Sequence, residues 1–166
     1  MEPVTRFHHH TSSCRGLMFN ADGTKLYTIS SDKSLWAIDG TGKSVLTINN
    51  AHDQAINKLT IIGDYGSDGG YVVATGDDIG CVKIWDTRIS NTNKVAPVME
   101  WKAHEDFISG FCYSAEHNTL LSISGDATLC SYDLRKPSKF ERSDDQEAEL
   151  HCVGKQSDNI NNLFSY

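Results

Sequence analysis

The side chains with the most chemical potential in this 166-residue sequence come in two parallel sets. His52, Thr75, Asp78 and Trp85 form one; His104, Ser122 and Asp126, with Tyr132 in the Trp place, form the other. A hydroxyl, an imidazole and a carboxylate are the parts of a nucleophile activated by an oriented base. They also have a structural use. A buried imidazole must satisfy both ring nitrogens, and a turn carboxylate on one side with a hydroxyl on the other does so. Duplication decides between the two readings, because a catalytic triad is not copied once per repeat. We expect structural hydrogen-bond networks at both places.

Other candidate chemistry is weaker. His8, His9, His10 and Cys14 are metal-ligand types, but consecutive residues on a strand alternate faces and cannot all converge on one ion. Thr41, Gly42, Lys43 and Ser44 resemble the end of a phosphate loop, yet Ala37 stands where that motif needs glycine, and the β-branched VLTI follows in place of a helix. No nucleophile has a private base. The expectation is a non-enzymatic chain with no metal and no cofactor.

The elements that position these residues repeat. Asp39 in SLWAID, Asp86 in VKIWD and Asp133 in LCSYD are spaced 47 residues apart. His10 and His104 each precede their aspartate by 29 residues, while His52 precedes Asp86 by 34, so the second copy carries five extra. Four are assigned to the hairpin between its first two strands. The fifth is assigned to the turn, because Asp32 and Asp126 precede their partners by 7 and Asp78 precedes Asp86 by 8. A four-stranded unit recurring every ~40 to 50 residues is the mark of a propeller blade.

In chain order, residues 1–10 read as a remnant strand of a preceding blade. Repeat one covers 11–50, with strands at CRGLMF, KLYTIS, LWAID and VLTI around NADG and SSDKS turns. Repeat two covers 51–102 and contains ATGDDIGCVKIWDTR and the insertion GDYGSDGG, an exposed loop that suits a tolerated insertion better than a partner contact. Repeat three covers 103–142, with strands near ISGFCY, TLLSIS, TLCSYD and KFER, where Cys112 and Cys130 read as small buried hydrophobes. Residues 143–166 form an acidic loop and an irregular tail, in which ELHCV has the look of the start of a fourth blade. The fold class is all-β, with about three four-stranded blades of an incomplete ring. A closed propeller needs at least four, and open blades leave edges that invite self-association.

Composition narrows the function. Net charge is −7, so no positive field exists to hold nucleic acid by its phosphates. Five cysteines, Cys14, Cys81, Cys112, Cys130 and Cys152, are odd in number and lack a Cys-x-x-Cys pair, which fits reduced intracellular thiols. No apolar run reaches the ~18 residues of a membrane span, and MEPVTRFHHH lacks the apolar core of a signal peptide.

SSCRGLMFNADGTKLYTISSDKS, AHDQAIN, ATGDDIGCVKIWDTR and AHEDFISGFCYSAEHNTLLSISGDATL together resemble the WD-repeat family, over most of residues 11–135. The last 13 residues, GKQSDNINNLFSY, do not match its pattern. The resemblance is to a eukaryotic seven-bladed propeller, in which the His, Thr or Ser, Asp and Trp positions join the inner strands. It implies a protein-interaction scaffold for ribosomal RNA production and ribosome biogenesis, with ribosome-assembly factors as partners. The compartments implied are the nucleus and nucleolus, with the cytoplasm as a further one. A second implication is a substrate receptor on the damaged-DNA-binding adaptor of cullin-4 ubiquitin ligases, because Trp85, Asp86, Thr87 and Arg88 match that W-D-x-R signature and Tyr132, Asp133, Leu134 and Arg135 form a degenerate copy. In that role Arg88 forks onto a partner carboxylate and is worth ~2 kcal/mol or more. In the competing role it pairs with Asp86 or the next blade, worth ~0 to 1 kcal/mol if exposed.

Overall fold

The computed structural model describes residues 6–63, 71–88, 95–135 and 151–153. Their strands are β1 Cys14–Phe19, β2 Lys25–Ser30, β3 Leu35–Asp39, β4 Ser44–Ile48, β5 Ile56–Ile62, β6 Val72–Asp77, β7 Cys81–Asp86, β8 Met99–Lys102, β9 Ile108–Ser114, β10 Thr119–Ser124, β11 Leu129–Asp133 and β12 His151–Val153. They make three four-stranded sheets, β1 to β4, β5 to β8 and β9 to β12, each pairing neighbours antiparallel. Local chemistry closes the hairpins. At the β1–β2 turn, Asn20 Oδ1 accepts the Lys25 amide at 2.8 Å and Asp22 Oδ1 accepts the Thr24 amide at 2.9 Å. Thr41 to Ser44 form the same kind of turn into β4, capped by Asp39, so a strand follows where a phosphate loop needs a helix.

The sheets stack like blades. β5 packs against β1 and β2 on one side and β9 on the other, which brings the first strand of each sheet together. One core, with Tyr27, Ile29, Leu35, Val73 and Trp85, fills the space between the first and second sheets. A second core, with Ala74, Val82, Ile84, Ile108, Leu120 and Tyr132, lies between the second and third. β6 is therefore buried on both faces, and VVAT is an apolar run rather than an alternation. The outward face of the first sheet differs: Leu17 is 67% and Phe19 58% exposed. These are the sides that an adjoining blade covers in a closed ring, as an incomplete propeller requires.

Four expectations change. Residues 6–10 form no strand; His9 and His10 are held by side chains instead, His9 stacking on Trp36 at 5.0 Å. The outer strand of the third sheet is β12, paired to β11 from Leu129 to Ser131, so ELHCV closes the third blade and does not open a fourth. KFER and the acidic run lie outside the described residues.

Cys130 is buried as expected, but Cys112 is exposed, because a bulge at Ser109 resets the alternation of β9. Ile108, Phe111 and Tyr113 then pack inward together and Cys112 faces out. Finally, all five extra residues of repeat two lie in the β5–β6 hairpin. Phe19 pairs with Leu26 and Tyr113 with Leu120, each 7 residues apart, whereas Ile61 pairs with Val73, 12 apart. Thr28, Thr75 and Ser122 each precede their repeat aspartate by 11 residues, so the turn holds no insertion. The loop of residues 64–70 is outside the described residues.

Candidate functional site

Each of the three blades contains a buried histidine network. In the middle blade His52 Nε2 lies 2.7 Å from Thr75 Oγ1, and Trp85 Nε1 donates to the same oxygen at 2.8 Å. The other ring nitrogen, Nδ1, stands 3.0 Å from Asp77 Oδ2. Asp77 occupies the place expected of Asp78. Thr75 and Asp77 are two residues apart on β6 and share a face, whereas Asp78 begins the turn and points elsewhere. In the third blade His104 Nε2 meets Ser122 Oγ at 2.7 Å, Tyr132 shares that hydroxyl at 2.9 Å, and Nδ1 faces Asp126 at 3.2 Å. The first blade, where no network was expected, has one too: His10 meets Thr28, Ser34 and Asp32 at 2.9, 2.9 and 3.2 Å. The 29-residue spacing from His10 to Asp39 was its signal.

These networks are satisfied internally. With Nδ1 donating to Asp77, Nε2 accepts the Thr75 hydroxyl hydrogen and Thr75 accepts from Trp85, so donors and acceptors balance around a neutral imidazole. Burial opposes ionisation of Asp77, but hydrogen bonds from His52 and the Cys81 amide outweigh it and hold the carboxyl below its ordinary range. The same balance lowers Asp32 to about 2 through Ser34, Thr11 and His10. Ser34, Thr75 and Ser122 are buried within these networks.

A second constellation was not legible in the sequence. β1, β5 and β9 each carry one bulge, at Arg15, Asn57 and Ser109, and each bulged residue lies five after its repeat histidine. A bulge re-aims a side chain out of the pleat. All three line one groove of about 500 Å³ with Lys58, Asp78, Phe107 and Ile108, at the end of the molecule where the first strands begin. Arg15 spans two blades here: Nε donates to Ser31 Oγ at 2.6 Å, and Nη1 donates to Asn57 Oδ1 and, at 3.1 Å, to Asp78 Oδ1. Asp78, released from the histidine network, thus becomes part of this rim. The groove is open, half-apolar, and bears both signs of charge.

A family profile described as "WD domain, G-beta repeat" matches residues 1–39 and 95–133. The chain is 39% identical over 145 residues to WD repeat-containing protein 55 of Arabidopsis thaliana, covering 87% of this chain and 38% of that protein. The chain belongs to the WD-repeat family. It is also 39% identical to WD repeat-containing protein JIP5 of Coprinopsis cinerea over 85% of its length and 32% of that protein, and 34% identical to WD repeat-containing protein 55 of Bos taurus over 87% and 35%. It thus spans about a third of the length of these relatives. Two solved structures share the fold at a TM-score of 0.67 and 19% identity: "Crystal structure of RRP9 WD40 repeats", covering 79% of this chain and 38% of that one, and "Structure of U3-55K", covering 79% and 39%.

The matched spans clarify how a WD repeat relates to a blade. Residues 95–133 run from β8, the outer strand of the second sheet, through β11 of the third, so one repeat ties two blades together. At the opposite rim from the bulges lie the W-D-x-R ends. Arg88 forks onto its own Asp86, Nε to Oδ1 at 2.9 Å and Nη2 to Oδ2 at 2.7 Å, and Arg135 does the same with Asp133 at 2.8 and 2.9 Å. Arg88 lowers the Asp86 pKa and Asp133 raises that of Arg135. Between them Thr87 is buried: its hydroxyl donates to the Tyr71 carbonyl at 2.7 Å and accepts from Tyr27 of the first blade at 2.7 Å.

Proposed function

We propose that this WD-repeat chain is a non-enzymatic protein-interaction scaffold whose working surface is the bulge-lined groove. The observation that supports it most is the threefold re-aiming of Arg15, Asn57 and Ser109 out of their strands into one open rim. A bulge re-aims a side chain out of the strand, and the mixed polar and apolar lining, with an exposed Phe107, has the composition of an interface rather than of a closed catalytic pocket. The resemblance to WD repeat-containing protein 55 supports ribosome-assembly factors as the partners, ribosomal RNA production as the process, and the nucleolus as the compartment, with nucleus and cytoplasm around it.

The test uses the full chain and its longer relatives' context in cells. Proximity labelling with the tagged protein is expected to recover ribosome-assembly factors from nucleoli, and Phe107→Ala with Asn57→Ala is expected to reduce that recovery at least several-fold at unchanged thermal midpoint. Labelling that ignores both substitutions and recovers no assembly factor rejects the proposal. Docking on the cullin-4 adaptor comes second, because it needs an Arg88 guanidinium that Asp86 already occupies. Unchanged adaptor affinity in Arg88→Ala removes that reading.

A further inference from the structure

The middle blade departs from its sisters at two linked positions. Ser34, Cys81 and Thr128 each stand five residues before their repeat aspartate. Ser34 and Thr128 place a hydroxyl on the histidine Nδ1, at 2.9 and 2.7 Å, and donate to Asp32 and Asp126. Cys81 puts a thiol there, and the aspartate comes from two positions earlier on the strand. The result is an imidazole nitrogen, a carboxylate oxygen and a sulfur within 4.8 Å of one another, all on buried residues. Glu100 of β8 adds a carboxylate beside the cluster, its Oε1 3.5 Å from the sulfur.

We propose that His52, Asp77 and Cys81 form a binding site for a thiophilic divalent cation of the zinc class, with Glu100 beside the sulfur. A nitrogen, sulfur and carboxylate set is what such an ion takes. Tetrahedral ligands with metal–nitrogen bonds of ~2.0 Å and metal–sulfur bonds of ~2.3 Å stand roughly 3.5 Å apart, so the sulfur closes by up to about 1 Å while the His52 Nδ1–Asp77 Oδ2 pair, at 3.0 Å, opens slightly to admit the ion. The outer partners are in place. Thr75 Oγ1 can accept from Nε2–H when Nδ1 ligates, at the cost of the hydrogen bond its own hydroxyl gives Nε2 in the ion-free network, and Asp77 Oδ1 is held by the amides of Ile79 and Cys81 at 3.1 and 2.8 Å.

Charge also closes. Two carboxylates and a thiolate carry three negative charges, which the ion and the Lys83 ammonium, 3.2 Å from Glu100, neutralise. Without an ion, burial and then the Asp77 and Glu100 carboxylates push the Cys81 thiol up to about 12; a cation inverts that field. Binding transfers the thiol proton to solvent, and the imidazole stays neutral with its hydrogen moved from Nδ1 to Nε2. Cys81 is only 8% exposed, but the Glu100 side chain is 39% exposed and opens the approach.

The probe is cobalt(II), titrated into the purified full chain and followed by visible absorption and by the thiolate-to-cobalt charge-transfer band in the near ultraviolet. One ion per chain with that band, displaced by zinc(II), is expected, together with release of one proton. Cys81→Ser restores the residue type of position 34, so the fold is expected to persist by circular dichroism while the band vanishes. Glu100→Gln, on a part-exposed side chain, is expected to weaken binding at least ~10-fold. His8→Ala with His9→Ala controls for the histidine tract and is expected to leave the band intact. Absence of the band in the parent chain, or a band untouched by Cys81→Ser, overturns the proposal.

Discussion

Asp77 holds His52 and Asp78 does not: the Asp77 Oδ2 lies 3.0 Å from the imidazole Nδ1, while the adjacent carboxylate turns outward to Arg15. Two identical neighbours in sequence therefore carry different loads. Asp77→Ala leaves a buried ring N–H without a partner and is expected to destabilise by about 3 kcal/mol. Asp78→Ala removes a pair that is more than a third exposed on both sides and is expected to cost about 0.5 kcal/mol. Urea unfolding of the two variants compares them directly; equal losses contradict the assignment.

Acid sensitivity follows from the same networks. Asp32 titrates at about 2 instead of 3.8, and Asp77 and Asp126 are also lowered. A depressed folded-state pKa means that the unfolded chain binds more protons in the interval between the two values. The contribution is thus present above pH ~4 and is lost as pH falls towards ~2. Urea midpoints measured across that interval should drop steeply, and Asp32→Asn should flatten part of the slope.

Tyr27 and Thr87 tie the first blade to the second through one buried 2.7 Å hydrogen bond. Tyr27→Phe keeps the ring and removes the hydroxyl, for an expected loss of about 1 kcal/mol. Thr87→Val strips a donor from the Tyr71 carbonyl as well and is expected to cost about 2 kcal/mol. Thermal midpoints rank the two, and the reverse order counts against the link.

Gly80 closes the turn of the middle blade with φ of 83°, and a Cβ there would stand 2.4 Å from the His104 carbonyl oxygen. Both the backbone region and the contact with the next blade exclude a side chain. Gly80→Ala is expected to destabilise by about 2–3 kcal/mol, read by denaturant unfolding. Gly23, at φ of 70° with open space around it, is the control; its alanine variant should lose about 1 kcal/mol.

Arg88 forks onto Asp86 with 53% of its side chain exposed. For such a pair Arg88→Ala should shift stability by less than about 1 kcal/mol. A larger loss in a thermal scan would show that the fork holds the blade itself.

The sequence by itself determined the repeat, most strand positions and the identity of most network residues, because strand alternation, turn residues and the 47-residue spacing are local or periodic properties. The choice of Asp77 over Asp78 was not read from it: in the sister blades the aspartate stands four residues after the Thr or Ser, in the middle blade two. Only the tertiary structure decided the rest. The bulges at Arg15, Asn57 and Ser109 exist because a partner strand skips one residue, which no single strand records. The exposure of Cys112 follows from that skip. Which strand closes the third sheet, and whether Arg88 meets its own Asp86, depend on what chain segment lies alongside in space, and hydrogen-bond pairing between segments distant in sequence leaves no mark on either segment alone.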